Sequence, residues 1–90
     1  MAHASLTPKQ VEAAVRQEVA RQDASYGAFD SSIGGMRLAV ACLQDEASEC
    51  FDAWQNWKRR PDWHQLRGEA VQLAAVAHRL ARDVEVELVD

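Results

Sequence analysis

The chain has 90 residues, 48% of them hydrophobic, and a formal net charge of −4 at pH 7. This is enough for one domain with a modest core, and alanine-rich sequence with four glycines and two prolines points to helices rather than disorder or a β-rich fold. The acidic balance argues against a general nucleic-acid binder, which carries a basic surplus or stripe. No run of about 18 apolar residues is present to span a membrane.

The first residues, Met1 to Leu6, lack the basic segment and apolar core of a signal peptide. Cys42 and Cys50 lie about 12 Å apart along one predicted helix, too far for an intrachain disulfide. The expectation is therefore a cytoplasmic protein with reduced thiols serving as small hydrophobes.

Thr7-Pro8 opens the first predicted helix: threonine caps, proline suits the first helical position, and Gln10 completes a capping box. Val11, Ala14 or Val15, and Val19 form its apolar side, and it ends near Asp23 to Ser25. The segment Tyr26 to Gly35 holds three of the four glycines and reads as a loop, with Phe29 and Ile33 as its anchors to the core. The second helix runs from about Met36 to Lys58, with the stripe Met36, Val40, Leu43, Ala47, Cys50, Trp54 and Trp57. After a short Arg59-Arg60-Pro61-Asp62 connection, the third carries Trp63, Leu66, Ala70, Leu73, Ala77, Leu80 and Val84. Both stripes have the alternating three- and four-residue spacing of helix-packing seams, and so short a connection sets the two helices antiparallel. The expected fold is all-α: one domain over residues 1–90, three helices with a long antiparallel hairpin, and frayed tails at 1–6 and 85–90. A chain this short is expected to complete its helical bundle by oligomerisation.

The chemistry lies in two acidic pairs. Glu46 and Glu49 are three residues apart, as are Glu69 and Gln72, so each pair projects from one side of its helix. In the antiparallel hairpin Glu49 falls level with Glu69 and Glu46 with Gln72. Each of the four stands one residue before a stripe position, so all lie on the flank that faces its counterpart. Three carboxylates and one amide then converge in an oxygen-rich pocket suited to a hard cation such as magnesium. Asp45, one residue off the stripe, is placed to hold water or support a ligand. The bland alternative is a solvated acidic face.

The arrangement Asp45-Glu46-x-x-Glu49, 19 residues, Glu69-x-x-Gln72 resembles the E-E-x-x-E … E-x-x-D signature of MazG-like all-α nucleoside triphosphate pyrophosphohydrolases. Leu66 to Ala77 is similar to the second acidic helix of phage and actinobacterial members. Arg21-Gln22-Asp23-Ala24-Ser25-Tyr26-Gly27 resembles their R-Q-D-x-K-W-G segment. The resemblance covers most of residues 12 to 83. It implies a helical bundle assembled as a homodimer or homotetramer, and Mg2+-dependent (or Mn2+-dependent) hydrolysis of a nucleoside triphosphate to the monophosphate and pyrophosphate. Asp45, Glu46, Glu49 and Glu69 would be the catalytic carboxylates, with Glu46, Glu49, Glu69 and Gln72 holding the metal. Lys58 would contact phosphate; Tyr26 would stack on a base or pack in the core.

Two departures bear on activity. Gln72 stands where the signature has aspartate, and Asp45 replaces a glutamate. Glutamine still coordinates through its carbonyl oxygen, but one negative charge is lost. The alternative function is therefore a catalytically degenerate helical protein serving as a nucleotide-binding or protein-interaction module. His64, His78, Cys42 and Cys50 form no zinc pattern, and no nucleophile elbow, P-loop or dinucleotide fingerprint is present.

Overall fold

The structure, a computed structural model, describes residues 4–59 and 62–86, and of residues 57–59 it describes the backbone. Three helices, α1 (Pro8–Tyr26), α2 (Ile33–Arg59) and α3 (Trp63–Asp83), account for the architecture. The all-α expectation holds, as does the antiparallel α2–α3 hairpin.

Each helix start is written locally. Thr7 Oγ1 accepts from the Gln10 N–H at 3.2 Å while Gln10 Oε1 accepts from the Thr7 N–H at 2.8 Å, the reciprocal capping box. α1 ends at Gly27, whose N–H still reaches the Asp23 carbonyl while its φ of 74° turns the chain out of the helix. Ser32 opens α2 by accepting from the Gly35 N–H at 3.1 Å, and is itself held by Asp30 through its N–H and hydroxyl. Asp62 opens α3 by accepting from the Gln65 N–H at 3.0 Å.

α3 is the central element. α1 and α2 both pack on it and, among the described residues, not on each other. Among the described residues the buried positions are Ala39, Ala53, Ala75 and Val76, with Gln22 and Arg79 between the helices, and no large side chain is fully buried. Small residues at these points let the helices approach closely.

The expected seam is corrected here. On α2 the covered side is Met36, Ala39, Leu43, Glu46, Cys50 and Ala53, while Val40, Ala47 and Trp54 are exposed. On α3, Leu66, Leu73 and Leu80 are half-buried, but Trp63, Ala70 and Ala77 are exposed, as is Val84 just after the helix. One neighbour covers only part of a broad apolar stripe, and α3 takes the side of α2 nearer Ala39 and Ala53. Ile33, expected as a loop anchor, is 81% exposed; Phe29 alone of that pair reaches the interior. The segment before α1 is tied down, since Arg67 Nη2 donates to the Ala4 carbonyl at 3.1 Å. The Trp57 side chain lies outside the described residues, as does the last part of the expected C-terminal tail.

Candidate metal centre and adjoining cleft

Glu46 and Glu49 lie one turn apart on α2, and Glu69 faces them from α3. One carboxylate oxygen from each of the three lies within 4.8 Å of the others. Glu46 and Glu69 are half-buried and Glu49 is exposed. The Oε2 atoms of Glu46 and Glu69 are buried with no hydrogen-bond partner. A buried carboxylate oxygen without a donor is costly, since lost hydration is not replaced.

The electrostatics follow from that packing. Burial, reinforced by the neighbouring Glu49, Glu69 and Glu18 carboxylates, pushes Glu46 up to about 7. Burial first, and Glu49 second, raises Glu69 as well. Like charges gathered in a half-buried site oppose ionisation. A divalent cation reverses this logic: hard oxygen donors, short of positive partners, suit magnesium or manganese. The donor set therefore fits such an ion, which Glu46, Glu49 and Glu69 could hold.

The other expected residues are distributed around this centre. Gln72 is half-buried one turn beyond Glu69, and its backbone carbonyl accepts from Gln22 Nε2 at 3.4 Å. Asp45 is exposed on the rim beside Glu46. Tyr26 is 76% exposed, so of its two expected roles core packing is overturned: α1 ends there, and the ring projects from the last turn. The Lys58 side chain lies outside the described residues.

Because the backbones of α1 and α2 do not pack on each other, a cleft of about 580 Å³ opens between them next to the carboxylates. Arg21 and Gln22 line it from α1, and Asp45, Glu46 and Glu49 from α2. Cys42, Val76 and Arg79 lie deeper, and the Tyr26–Asp30 segment closes one end. Arg21 holds Glu18 through two hydrogen bonds of 2.8 and 2.6 Å, and Glu18 also accepts from Gln22 Nε2 at 2.8 Å. The Arg21 guanidinium keeps the Glu18 carboxyl below its ordinary range.

Sequence reasoning did not single out Arg79, which organises the closed end. It is 3% exposed. Its guanidinium donates to Asp23 Oδ1 at 3.0 Å, Gln22 Oε1 at 3.1 Å and the Gly27 carbonyl at 2.6 Å, and stacks 4.4 Å over the Phe29 ring. Arg82 adds a forked pair to Asp23, and Asp83 accepts the Phe29 N–H at 2.9 Å. These bonds fix the loop after α1 against α3. Hydrogen bonding to Arg82 pulls Asp23 down to about 2. The available signal was an arginine lying beside His78 in the mostly apolar stretch from Leu73 to Ala81.

No family model, curated protein or solved structure matches the chain.

Proposed function

We propose that the chain is a magnesium-dependent nucleoside triphosphate pyrophosphohydrolase, acting in the cytoplasm on (d)NTP to release (d)NMP and pyrophosphate. The observation that carries this reading is the convergence of Glu46, Glu49 and Glu69, two of them with orphaned buried oxygens, at the side of an open cleft. The order and spacing of the same residues, with Arg21 to Gly27 upstream, support it through the family resemblance.

Glu46, Glu49 and Glu69 would hold magnesium or manganese. When bound, the cation supplies charge neutralisation and polarisation of phosphoryl oxygens. On the opposite wall Arg21, its guanidinium paired with Glu18, lines the cleft. The exposed Tyr26 ring at the closed end offers a surface on which a base stacks. Asp45, exposed on the rim, is placed to hold a water by its proton.

The test is to incubate the purified protein with a panel of nucleotides and magnesium and to measure pyrophosphate. Release is expected from at least one triphosphate, with Glu49→Ala lowering it about 100-fold or more. No release from any nucleotide, or an unchanged rate in Glu49→Ala, removes the reading.

One observation favours a second reading. Gln72 supplies no charge, leaving three carboxylates where the resemblance expects four, which suits a degenerate nucleotide-binding or protein-interaction module. Calorimetry with magnesium or manganese separates the two: no binding at millimolar metal favours the module. Gln72→Asp raises metal affinity if position 72 is a ligand.

A further inference from the structure

The acidic centre has a carboxylate neighbour on the remaining helix, Glu18 of α1. Glu18 shares one side of α1 with Arg21 and Gln22, which follow it by three and four residues. From Gln22 onward, the bonds that join α1 and its following loop to α3 link residues 50 to 59 positions apart. The numbers rise together on both sides, so α1 runs parallel to α3. Glu18 then falls at the height of the turns that hold Glu69 and Gln72. A direct link agrees with this: Gln22 Nε2 donates to Glu18 Oε2 at 2.8 Å and to the Gln72 carbonyl at 3.4 Å. The Glu18 side chain is only 13% exposed. Glu46, raised chiefly by its own burial, also feels the Glu18 charge.

Its partners keep Glu18 apart from the other three acids. Oε1 accepts from Arg21 Nε at 2.8 Å, and Oε2 accepts from Arg21 Nη2 at 2.6 Å and from Gln22. Glu46, Glu49 and Glu69 gather without it. Two buried oxygens with no donor, on Glu46 and Glu69, thus lie near a carboxylate whose oxygens are both satisfied. The Arg21 side chain is 56% exposed, and an ion pair with so wet a partner is easily exchanged. Gln72 leaves the centre one charge short of four, and Glu18 carries that charge at the same height.

We propose that Glu18 is the fourth carboxylate of the cation site, latched to Arg21 while the cation is absent and turned to the cation when it binds. This inference rests on the cation-binding part of the proposed function. It assigns a role to a residue outside the acidic signature, and it makes Gln72 a relocated ligand position rather than a lost one. The exchange also frees the Arg21 guanidinium on the cleft wall for an anionic ligand. Through the ion, α1 gains a tie to the hairpin near its middle.

Manganese titrations by calorimetry, with thermal melts in chelator and in manganese, test this. A wild-type chain that shows neither heat nor a rise in Tm at millimolar manganese removes the cation reading, and this inference with it. With wild-type binding established, Glu18→Gln should weaken it about 10-fold or more and shrink the manganese-induced rise in Tm. Glu18→Asp keeps the charge but shortens the reach by one methylene. It should also weaken binding, whereas a charge acting from a distance would leave the wild-type affinity. Arg21→Gln opens the latch and should tighten binding several-fold. Unchanged affinity in Glu18→Gln or Glu18→Asp overturns the proposal and leaves Glu46, Glu49 and Glu69 as the holders, as does an Arg21→Gln chain that binds no tighter. If Glu18→Gln loses its helical circular dichroism, Arg21→Gln decides on the same readout.

Discussion

At the scale of single residues, Glu46 carries the most information. Its covered position on α2, among Leu43, Cys50 and Ala53, desolvates a carboxyl already crowded by Glu49 and Glu69. Between its ordinary value of 4.5 and its folded value of about 7, the folded chain keeps a proton that the unfolded chain has released. Stability without divalent metal is therefore expected to fall as pH rises through that window. Thermal melts in chelator from pH 4.5 to 7.5 should show a declining Tm, and Glu46→Gln should flatten the decline and melt higher at pH 7.5. Arg79 is the opposite case, a buried cation whose donors meet Asp23, Gln22 and Gly27. Arg79→Met removes the charge and leaves those acceptors short of donors, at a cost of about 3 kcal/mol by urea denaturation. Spacing alone was enough to bring Glu46, Glu49 and Glu69 together, because two helical repeats and one tight connection fix their heights. Nothing comparable was available for Arg79, since its burial depends on where α1 docks, a relation between distant segments that no local pattern encodes.

At the scale of elements, the helix boundaries were the most legible part of the chain. Thr7-Pro8 with Gln10, and Asp62 before α3, are side-chain devices written within three or four residues. The start of α2 was missed by a few residues because Ile33 reads as a core anchor and is instead an exposed first-turn residue. Gly35 explains the tightness of that turn. A side chain there would collide with the Asp30 backbone carbonyl, which folds back over the first turn of α2. Alanine ordinarily stabilises a helix by about 1 kcal/mol over glycine. Gly35→Ala is nevertheless expected to lose roughly 1–2 kcal/mol net, as the loop is pushed off the helix; chemical denaturation reads this directly. Sequence periodicity located the apolar stripes of α2 and α3 but not which half of each is covered. A stripe broad enough for two neighbours looks the same in sequence whether one or both are present.

At the scale of the whole molecule, an acidic centre that held a cation would couple folding to cation binding. An ion that binds the folded chain and not the unfolded one stabilises it by about 1.4 kcal/mol at ten times its dissociation constant. Adding magnesium at pH 7.5 should therefore raise Tm and offset the decline caused by Glu46 ionisation. Glu69→Gln, which removes the one carboxylate contributed by α3, should abolish most of that shift. A Tm indifferent to magnesium and manganese alike would mean that the carboxylates converge without holding either ion.

The lack of backbone packing between α1 and α2 sets how the molecule breathes. α1 is held by α3 alone, and its polar attachments to α3 gather near its C-terminal end, at Gln22 and Asp23. The opposite end of α1 has the Thr7 cap, few buried side chains and, just before it, the single exposed bond from Arg67 of α3 to the Ala4 carbonyl to hold it. α1 is thus a lever pivoted near the closed end of the cleft, and opening it costs only the α1–α3 contacts, not the hairpin. Amide exchange should show this as a separate event. The protons of α1 should exchange ahead of those of α3, and filling the cleft with ligand should slow α1 far more than α3.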